Sequence, residues 1–310
     1  MKINTDAKMI IYQNNMNIFK KKKLLVTHNG TFHADDIFAT AALSILYKDN
    51  IKVVRTRDPQ IIAKADVVYD VGGIYDKETN RFDHHQVGGA GARVNSIPYA
   101  AFGLVWEKFG EEICNSKEIA QYIEGKLVQP VDANDNGVNL FKVDGEVAPY
   151  LIQDLFFLFR PSWKENSDYD KQFIKVVAIA KTILTREISK MRDALEAKNF
   201  VIDAYNKSED KKIIIIDGPY PWGEVLGSYP EPTYAVFPKL DTWRVECVRK
   251  EKYSFENRKP LPQDWAGLRD QELVNATGVP DATFCHNGRF MAVSKSKEGA
   301  LALANKALLA

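Results

Sequence analysis

Four of the five histidines of this 310-residue chain, His28, His33, His84 and His85, fall within 58 residues of one another. Acids accompany them: Asp35, Asp36, Asp70 and Asp83. Imidazole and carboxylate donors without thiolate suit Mn²⁺, Mg²⁺, Co²⁺ or Fe²⁺ better than structural zinc. Six or more candidate ligands exceed the needs of one catalytic ion with open positions. They suit two ions about 3.5–4 Å apart that share a carboxylate, an arrangement that acts on phosphate esters. Any one of these residues alone reads as a surface histidine or a turn aspartate. The set is what points to chemistry.

Three strand ends are expected to deliver the set. Leu24 to Val26 reads as a short buried strand, with His28, His33 and Asp35 in the loop after it. Val67 to Tyr69 is a second such strand, ended by Asp70 and Gly72-Gly73. Arg81-Phe82 leads directly into Asp83-His84-His85. Between them lie helical spacing from Ala39 to Leu46, a strand at Ile51 to Val54 and a short helix near Pro59. Strands alternating with helices predict a doubly wound, mostly parallel α/β sheet. Ligands then gather outside the carboxyl ends of the strands.

The remaining chain sorts by pattern. Residues 1–22, rich in Asn and Lys, read as a disordered tail. Residues 23–205 read as the metal-binding domain, closed by a long helix over about 169–199. Residues 206–310 read as a smaller α/β domain that binds substrate, with strands near 213–216, 234–237, 243–248 and 290–293 and a final helix from Lys297. No apolar run approaches the roughly 20 residues that span a bilayer, and no secretory signal opens the chain. The three cysteines, Cys114, Cys247 and Cys285, form neither a disulfide framework nor a zinc pattern. A reducing intracellular compartment is expected, the cytoplasm ahead of nucleus or mitochondrion. A net charge of +1 excludes a globally basic coat.

Three further motifs carry weaker signals. Residues 132–137 imitate the start of an EF-hand, but the twelfth position is Val143 instead of a bidentate Glu. Calcium is rejected, and Asp132 is kept as a ligand of the same centre. Cys285-His286 are sequence neighbours whose side chains diverge on a strand, so they are not a nucleophilic pair. Residues 239–269 hold eight Lys or Arg against five acids, interleaved with Trp243, Tyr253, Phe255 and Trp265. That mixture suits a single strand of nucleic acid but equally an ordinary surface over a core. P-loop and dinucleotide fingerprints are absent.

At this point a resemblance emerges. His28-Asn29-Gly30-Thr31-Phe32-His33-Ala34-Asp35, Asp70-Val71-Gly72-Gly73, Asp83-His84-His85-Gln86 and Val131-Asp132 resemble the four motifs of the DHH phosphoesterase superfamily. The form T-H-N-G-T-F-H-x-D is similar to the melanocyte-proliferating-gene product family of metal-dependent hydrolases. Trp243-Arg244-Val245, Pro260-Leu261-Pro262 and the stretch from Trp265 to Asp270 resemble that family's C-terminal half. The gap from His28 to His33 is one residue longer than in the wider superfamily.

The resemblance implies one metal on His28, His33 and Asp70, and another on Asp35, Asp70, His84 and Asp132, with Asp70 bridging. His85 would face the substrate phosphate and Asp83 would orient an imidazole. His286 and Arg289, in a Gly-containing turn, together with Arg269, would contact substrate. The expected activity is two-metal phosphodiester hydrolysis, as a 3′–5′ exonuclease on single-stranded RNA, with manganese ahead of magnesium or cobalt. A rival is a phosphatase of very short oligonucleotides, cyclic dinucleotides or pyrophosphate. A rival of another class is a noncatalytic metal- or RNA-binding protein. No membrane partner is expected, and a homo-oligomer is left open.

Overall fold

A computed structural model describes residues 21–143, 145–165 and 168–310. Residues 1–20, most of the expected tail, lie outside the described residues. The chain divides into two compact units between Ile188 and Ser189. Each unit is an α/β structure built on a five-stranded mixed sheet.

The first sheet has the order β2-β1-β3-β5-β4. β1 (Lys23–Thr27) lies between β2 (Ile51–Arg55) and β3 (Val67–Tyr69), parallel to both. β3 runs parallel to β5 (Arg81–Phe82), and β4 (Tyr75–Asp76) closes the edge antiparallel. Leu25, Val26, Val67, Val68 and Phe82 are buried to within 1%. Apolar runs of this kind mark strands covered on both faces. Val26 and Val68 pack with Ile61 and Ile62 of α2 (Pro59–Ile62) on one side. Because β1, β3 and β5 are parallel, their carboxyl ends share one edge of the sheet.

The polar stretch 27–35 is shorter as a loop than expected. α1 (Ala34–Leu46) starts at Ala34, so Asp35 and Asp36 stand in its first turn. His33 is the N-cap in an extended conformation, and its N–H donates to Asp36 Oδ1 at 2.9 Å. A carboxylate in the first turn also complements the helix dipole. All residues from Ala34 to Ser44 are buried, so α1 is a central helix. It packs on α3 (Ala101–Cys114).

α4 (Lys117–Ile123) continues through a π-helical turn (Glu124–Val128) into α5 (Gln129–Asp135). Pro130, in the first turn of α5, has no N–H for the ladder at this junction. α6 (Ile152–Phe157) follows, then α7 (Tyr169–Lys207), 39 residues long. α7 runs eight residues past the expected end at 199. Val201, Ala204 and Tyr205 pack on Ile214, Ile216, Ala235 and Phe237, which ties its last turns to the second unit.

The second sheet has the order β6-β7-β8-β10-β9: Ile213–Ile215, Tyr234–Lys239, Thr242–Cys247, Met291–Ser294 and Ala282–Cys285 respectively. Its helices are α8 (Gly223–Gly227), α9 (Asp270–Thr277) and α10 (Lys297–Leu309). α10 buries Ala300, Leu303, Ala304 and Ala307 in a core with Tyr234, Val245, Trp265 and Leu273. β4, α8, α9 and β9 lie outside the elements expected from the sequence. Among the described residues no helix is long and apolar enough to cross a membrane.

Candidate metal centre

Every candidate of the first unit stems from one strand end or from the helices behind it. Thr27 ends β1 and His28 follows; Tyr69 ends β3 and Asp70 follows; Phe82 ends β5 and Asp83 follows. Asp70 has φ +56°, a left-handed conformation that a short polar side chain tolerates. Gly72 and Gly73, at φ +100° and +70°, carry the tight turn after it. The Gly73 N–H donates to Asp83 Oδ2 at 2.5 Å, so this turn and the Asp83 end of β5 hold each other.

Three overlapping groups of ligand atoms result: His28, His33 and Asp70; Asp70, His84 and His85; and His33, Asp35 and Asp135. Within each, the ligand atoms lie inside 4.8 Å of one another. Asp70 belongs to two groups. Its Oδ2 is 3.1 Å from His28 Nε2, and its Oδ1 is 3.3 Å from His84 Nε2. None of these contacts has the direction of a good hydrogen bond, and neither Asp70 oxygen has such a partner among the described residues. Asp35 Oδ1, Asp36 Oδ2 and His84 Nε2 are orphaned in the same way. Buried polar atoms are rarely left so. A divalent cation satisfies carboxylate and imidazole lone pairs together, so the residues present fit metal ions.

The protonation pattern agrees. Burial, then the charge of Asp70, pushes the Asp36 carboxyl up to about 7. Burial and the charges of Asp70 and Asp135 push Asp35 well above its ordinary value. Against the cost of burial, the imidazoles of His28 and His84 hold Asp70 well below the usual carboxylate range. Burial lowers His33, which keeps it neutral and able to bind a cation. His28 Nδ1 faces the Asn29 carbonyl at 3.1 Å, which leaves Nε2 free toward Asp70.

Acids whose folded values are raised stabilise the fold while protonated, and that contribution is lost as pH rises from about 4 toward about 7. Cation binding needs Asp35 ionised, and an ionised Asp36 beside His28 favours it. A hundredfold excess of Mn²⁺ over its Kd at pH 8 should raise the melting temperature by about 5–10 °C. At pH 6 the rise should be less than half of that, and EDTA should abolish both. Equal shifts at the two pH values, read by differential scanning fluorimetry, would contradict the assignment.

His85 is set apart. Its side chain is 60% exposed, and its Nδ1 lies 2.8 Å from Asp83 Oδ1. This hydrogen bond raises His85 to about 8, so it is largely cationic at neutral pH. Asp83 also accepts the N–H groups of His84 and His85 at 2.8 and 3.2 Å. A buried carboxylate therefore fixes both the turn and the ring.

The structure places Asp132 on partners other than the histidines. Its Oδ2 accepts from Arg93 Nη2 at 2.8 Å, and its Oδ1 from the Gly103 N–H at 3.0 Å. It caps the start of α3 and pairs with a buried guanidinium instead of joining the histidines. Asp135 lies beside the histidines, with Oδ2 at 3.3 Å from His84 Nε2, in a group with His33 and Asp35. A π turn inserts one residue per turn and so rotates everything after it by about 100°. The sequence shows both acids but not that rotation. Asp36, 3.4 Å from His28 Nε2, is a further acid beside the histidines that the resemblance does not place among the ligands. The close fit at α3 has a consequence: a Cβ added at Gly103 would stand 1.8 Å from Asp132 Oδ2. Gly103→Ala should therefore cost about 3 kcal/mol or more, read by chemical denaturation.

In the second unit, Arg269 stacks on Phe284, with its Cζ 4.7 Å from the ring centroid. His286 meets the same ring edge-on at 6.2 Å. The Arg289 N–H donates to the His286 carbonyl at 2.8 Å, and Arg289 Nη1 donates to the Leu261 carbonyl at 3.3 Å. The structure thus brings His286, Arg289 and Arg269 into one loop cluster. Burial pushes the Cys285 thiol up to about 11, which leaves no thiolate for nucleophilic chemistry. The aromatic and basic stretch 239–269 divides. Trp265 is core, whereas Tyr253 and Phe255 are about nine-tenths exposed. Lys250 and Lys252 are committed to Glu256 and Glu224 at 2.7 and 3.0 Å. The stretch is not a continuous free basic track.

An α/β sheet that gathers buried carboxylates and imidazoles at the carboxyl ends of its parallel strands is a scaffold for divalent metals. The chain belongs to the MYG1 family, whose model, described as an uncharacterised protein family (UPF0160), matches residues 24–308. The MYG1 protein of Schizosaccharomyces pombe is 30% identical over 92% of this chain and 97% of its own length. That of Chlamydia trachomatis is 34% identical over 88% and 92%. The MYG1 exonuclease of Homo sapiens is 31% identical over 91% and 85%. Among solved structures, an exopolyphosphatase-related protein from Bacteroides fragilis covers 93% of the chain and is itself covered to 92%, at 12% identity and a TM-score of 0.22, too low to carry an argument.

Proposed function

We propose that this chain is a phosphodiester hydrolase dependent on two divalent metals, acting as a 3′–5′ exonuclease on single-stranded RNA. The observation that carries the reading is Asp70. It is a buried carboxylate with each oxygen against a different imidazole, shared by two ligand groups. The exonuclease name of similar mammalian proteins supports the nuclease part. We read the first unit as a DHH-like doubly wound sheet, supported by its parallel β2-β1-β3-β5 order and by α2 packed on the Val26 and Val68 face.

One ion would sit on His28, His33 and Asp70, and the other on Asp70, His84, Asp35 and Asp135, with manganese the first choice. When bound, the two ions supply an activated water and neutralise charge on the phosphate. The chain's own residues do the rest. Cationic His85, held by Asp83, donates to a non-bridging phosphate oxygen and strengthens as charge develops there. Asp36 accepts the His33 N–H and so fixes the start of α1. Thr40 Oγ1 donates to the Asp36 carbonyl at 2.7 Å and meets the Tyr69 hydroxyl at 2.6 Å, which locks α1 to β3 behind the centre. His286, Arg289 and Arg269 would bind the substrate.

One observation favours the second reading, a small-substrate phosphatase: the committed lysines of the stretch 239–269. End-labelled RNA incubated with Mn²⁺, Mg²⁺ or EDTA separates the two. Metal-dependent shortening from the 3′ end is expected. No shortening, while dinucleotides or pyrophosphate are cleaved, would move the activity to small substrates. No metal-dependent turnover on any of them would leave a binding protein.

A further inference from the structure

The loop between the first two histidines is held from outside at three of its four intervening residues. Arg57 Nη1 donates to the Asn29 carbonyl at 2.6 Å and to Asn29 Oδ1 at 2.7 Å. Arg55 Nη2 donates to the Gly30 carbonyl at 2.9 Å, while its Nη1 pairs with Asp170 at 2.7 Å. Arg160 turns both Nε and Nη2 onto the Phe32 carbonyl, with Nε at 2.9 Å. Arg55 is the last residue of β2, Arg57 lies two residues beyond it, and Arg160 is in the turn after α6.

Phe32 anchors one end of this loop in the core, fully buried against Phe173 and Tyr169. At Gly30, φ is +89° with open space around the position of a Cβ, so no packed side chain holds that part of the loop. The Arg55 guanidinium itself is 3% exposed and sits 4.5 Å over the Phe173 ring. The Arg160 guanidinium lies 3.5 Å over Phe157, whose ring meets the His33 ring edge-on at 6.5 Å. Arg160 therefore touches the His33 neighbourhood twice, through the carbonyl that precedes it and through the ring beside it. A planar fork satisfies both contacts at once, whereas an ammonium satisfies only the first.

We propose that Arg55, Arg57 and Arg160 clamp the loop and that Arg160 is the positioning residue for the His33 imidazole. The inference rests on the reading of His33 as a metal ligand but is tested apart from it. Arg160 acts through His33 and touches neither metal nor substrate. Its chemistry is a lock on the backbone: three guanidinium groups replace the hydrogen bonds that a loop without regular structure lacks.

The test compares wild type, Arg160→Gln and Arg160→Lys in the full-length protein. With only five histidines, imidazole NMR signals are assignable one by one. In the cation-free protein, Arg160→Gln should shift or broaden the His33 signals while those of His84 and His85 stay in place. Arg160→Lys should restore them in part. Mn²⁺ titration followed by electron paramagnetic resonance should show a loss of about 10–100-fold in affinity for Arg160→Gln, with a smaller loss for Arg160→Lys. Unmoved His33 signals would overturn the clamp whatever the metal does. Moved signals in a protein whose wild type binds no Mn²⁺ would keep the clamp and overturn the metal reading. Uniform movement of all five histidines would assign Arg160 a general structural role and also overturn the proposal.

Discussion

Asp70→Asn is expected to remove tight binding of both ions and to lower turnover by about 10³-fold or more, which corresponds to about 4 kcal/mol of transition-state stabilisation. The substitution is chosen for its fit. Asn tolerates the φ of +56° that Asp70 adopts, and it occupies the same volume. The fold should therefore survive. What disappears is the only carboxylate among the described residues placed against both His28 and His84, and with it the charge that the proposed pair of cations would share. Asn keeps one neutral oxygen, which is a poor substitute for a bridging carboxylate. Mn²⁺ titration and turnover on labelled RNA read the two effects. Unchanged affinity in a well-folded Asp70→Asn protein would sink the bridging assignment.

Asp132 and Asp135 should separate in opposite directions. Asp135→Asn removes a negative charge 3.3 Å from His84 Nε2, in a group with His33 and Asp35. Mn²⁺ affinity and turnover should each fall about 100-fold, about 2.7 kcal/mol, with no loss of melting temperature in the cation-free protein. Asp132→Ala removes the partner of Arg93 Nη2 and the acceptor of the Gly103 N–H. Arg93 keeps Glu124 and the Pro98 carbonyl, but a buried guanidinium loses its fully buried carboxylate. Breaking such a pair costs about 3–5 kcal/mol, or about 10 °C in a unit of this size. Below that melting point Asp132→Ala should still bind Mn²⁺. The reverse pattern, a stable Asp132→Ala that has lost Mn²⁺ and an unstable Asp135→Asn that keeps it, would restore Asp132 to the centre.

The two acids also mark how far the sequence could be read. β1 and β3 are legible because short apolar runs followed by His28 and Asp70 are what buried parallel strands look like, whereas β5 offers only Arg81-Phe82 before Asp83. Their parallel pairing is what turns three distant motifs into one site. Gly72-Gly73 is legible as a turn for the same local reason. α1 was partly hidden, because Asp35 and Asp36 look like loop residues until the His33 cap is seen. Asp135 was hidden by the π turn, which no apolar periodicity announces. Arg55, Arg57 and Arg160 were hidden for a different reason: each binds a backbone carbonyl, and carbonyls leave no mark on a sequence. In the second unit, Trp265 and Tyr253 look alike in an aromatic and basic stretch. Only packing shows one in the core and the other at the surface.

Crystals grown with Mn²⁺ and measured at the manganese absorption edge test the central claim most directly. Two anomalous peaks about 3.5–4 Å apart, one on each side of the Asp70 carboxylate, are predicted, with His28 and His33 on one and His84 and Asp135 on the other. No peak within reach of Asp70, in crystals that carry manganese elsewhere, would contradict it.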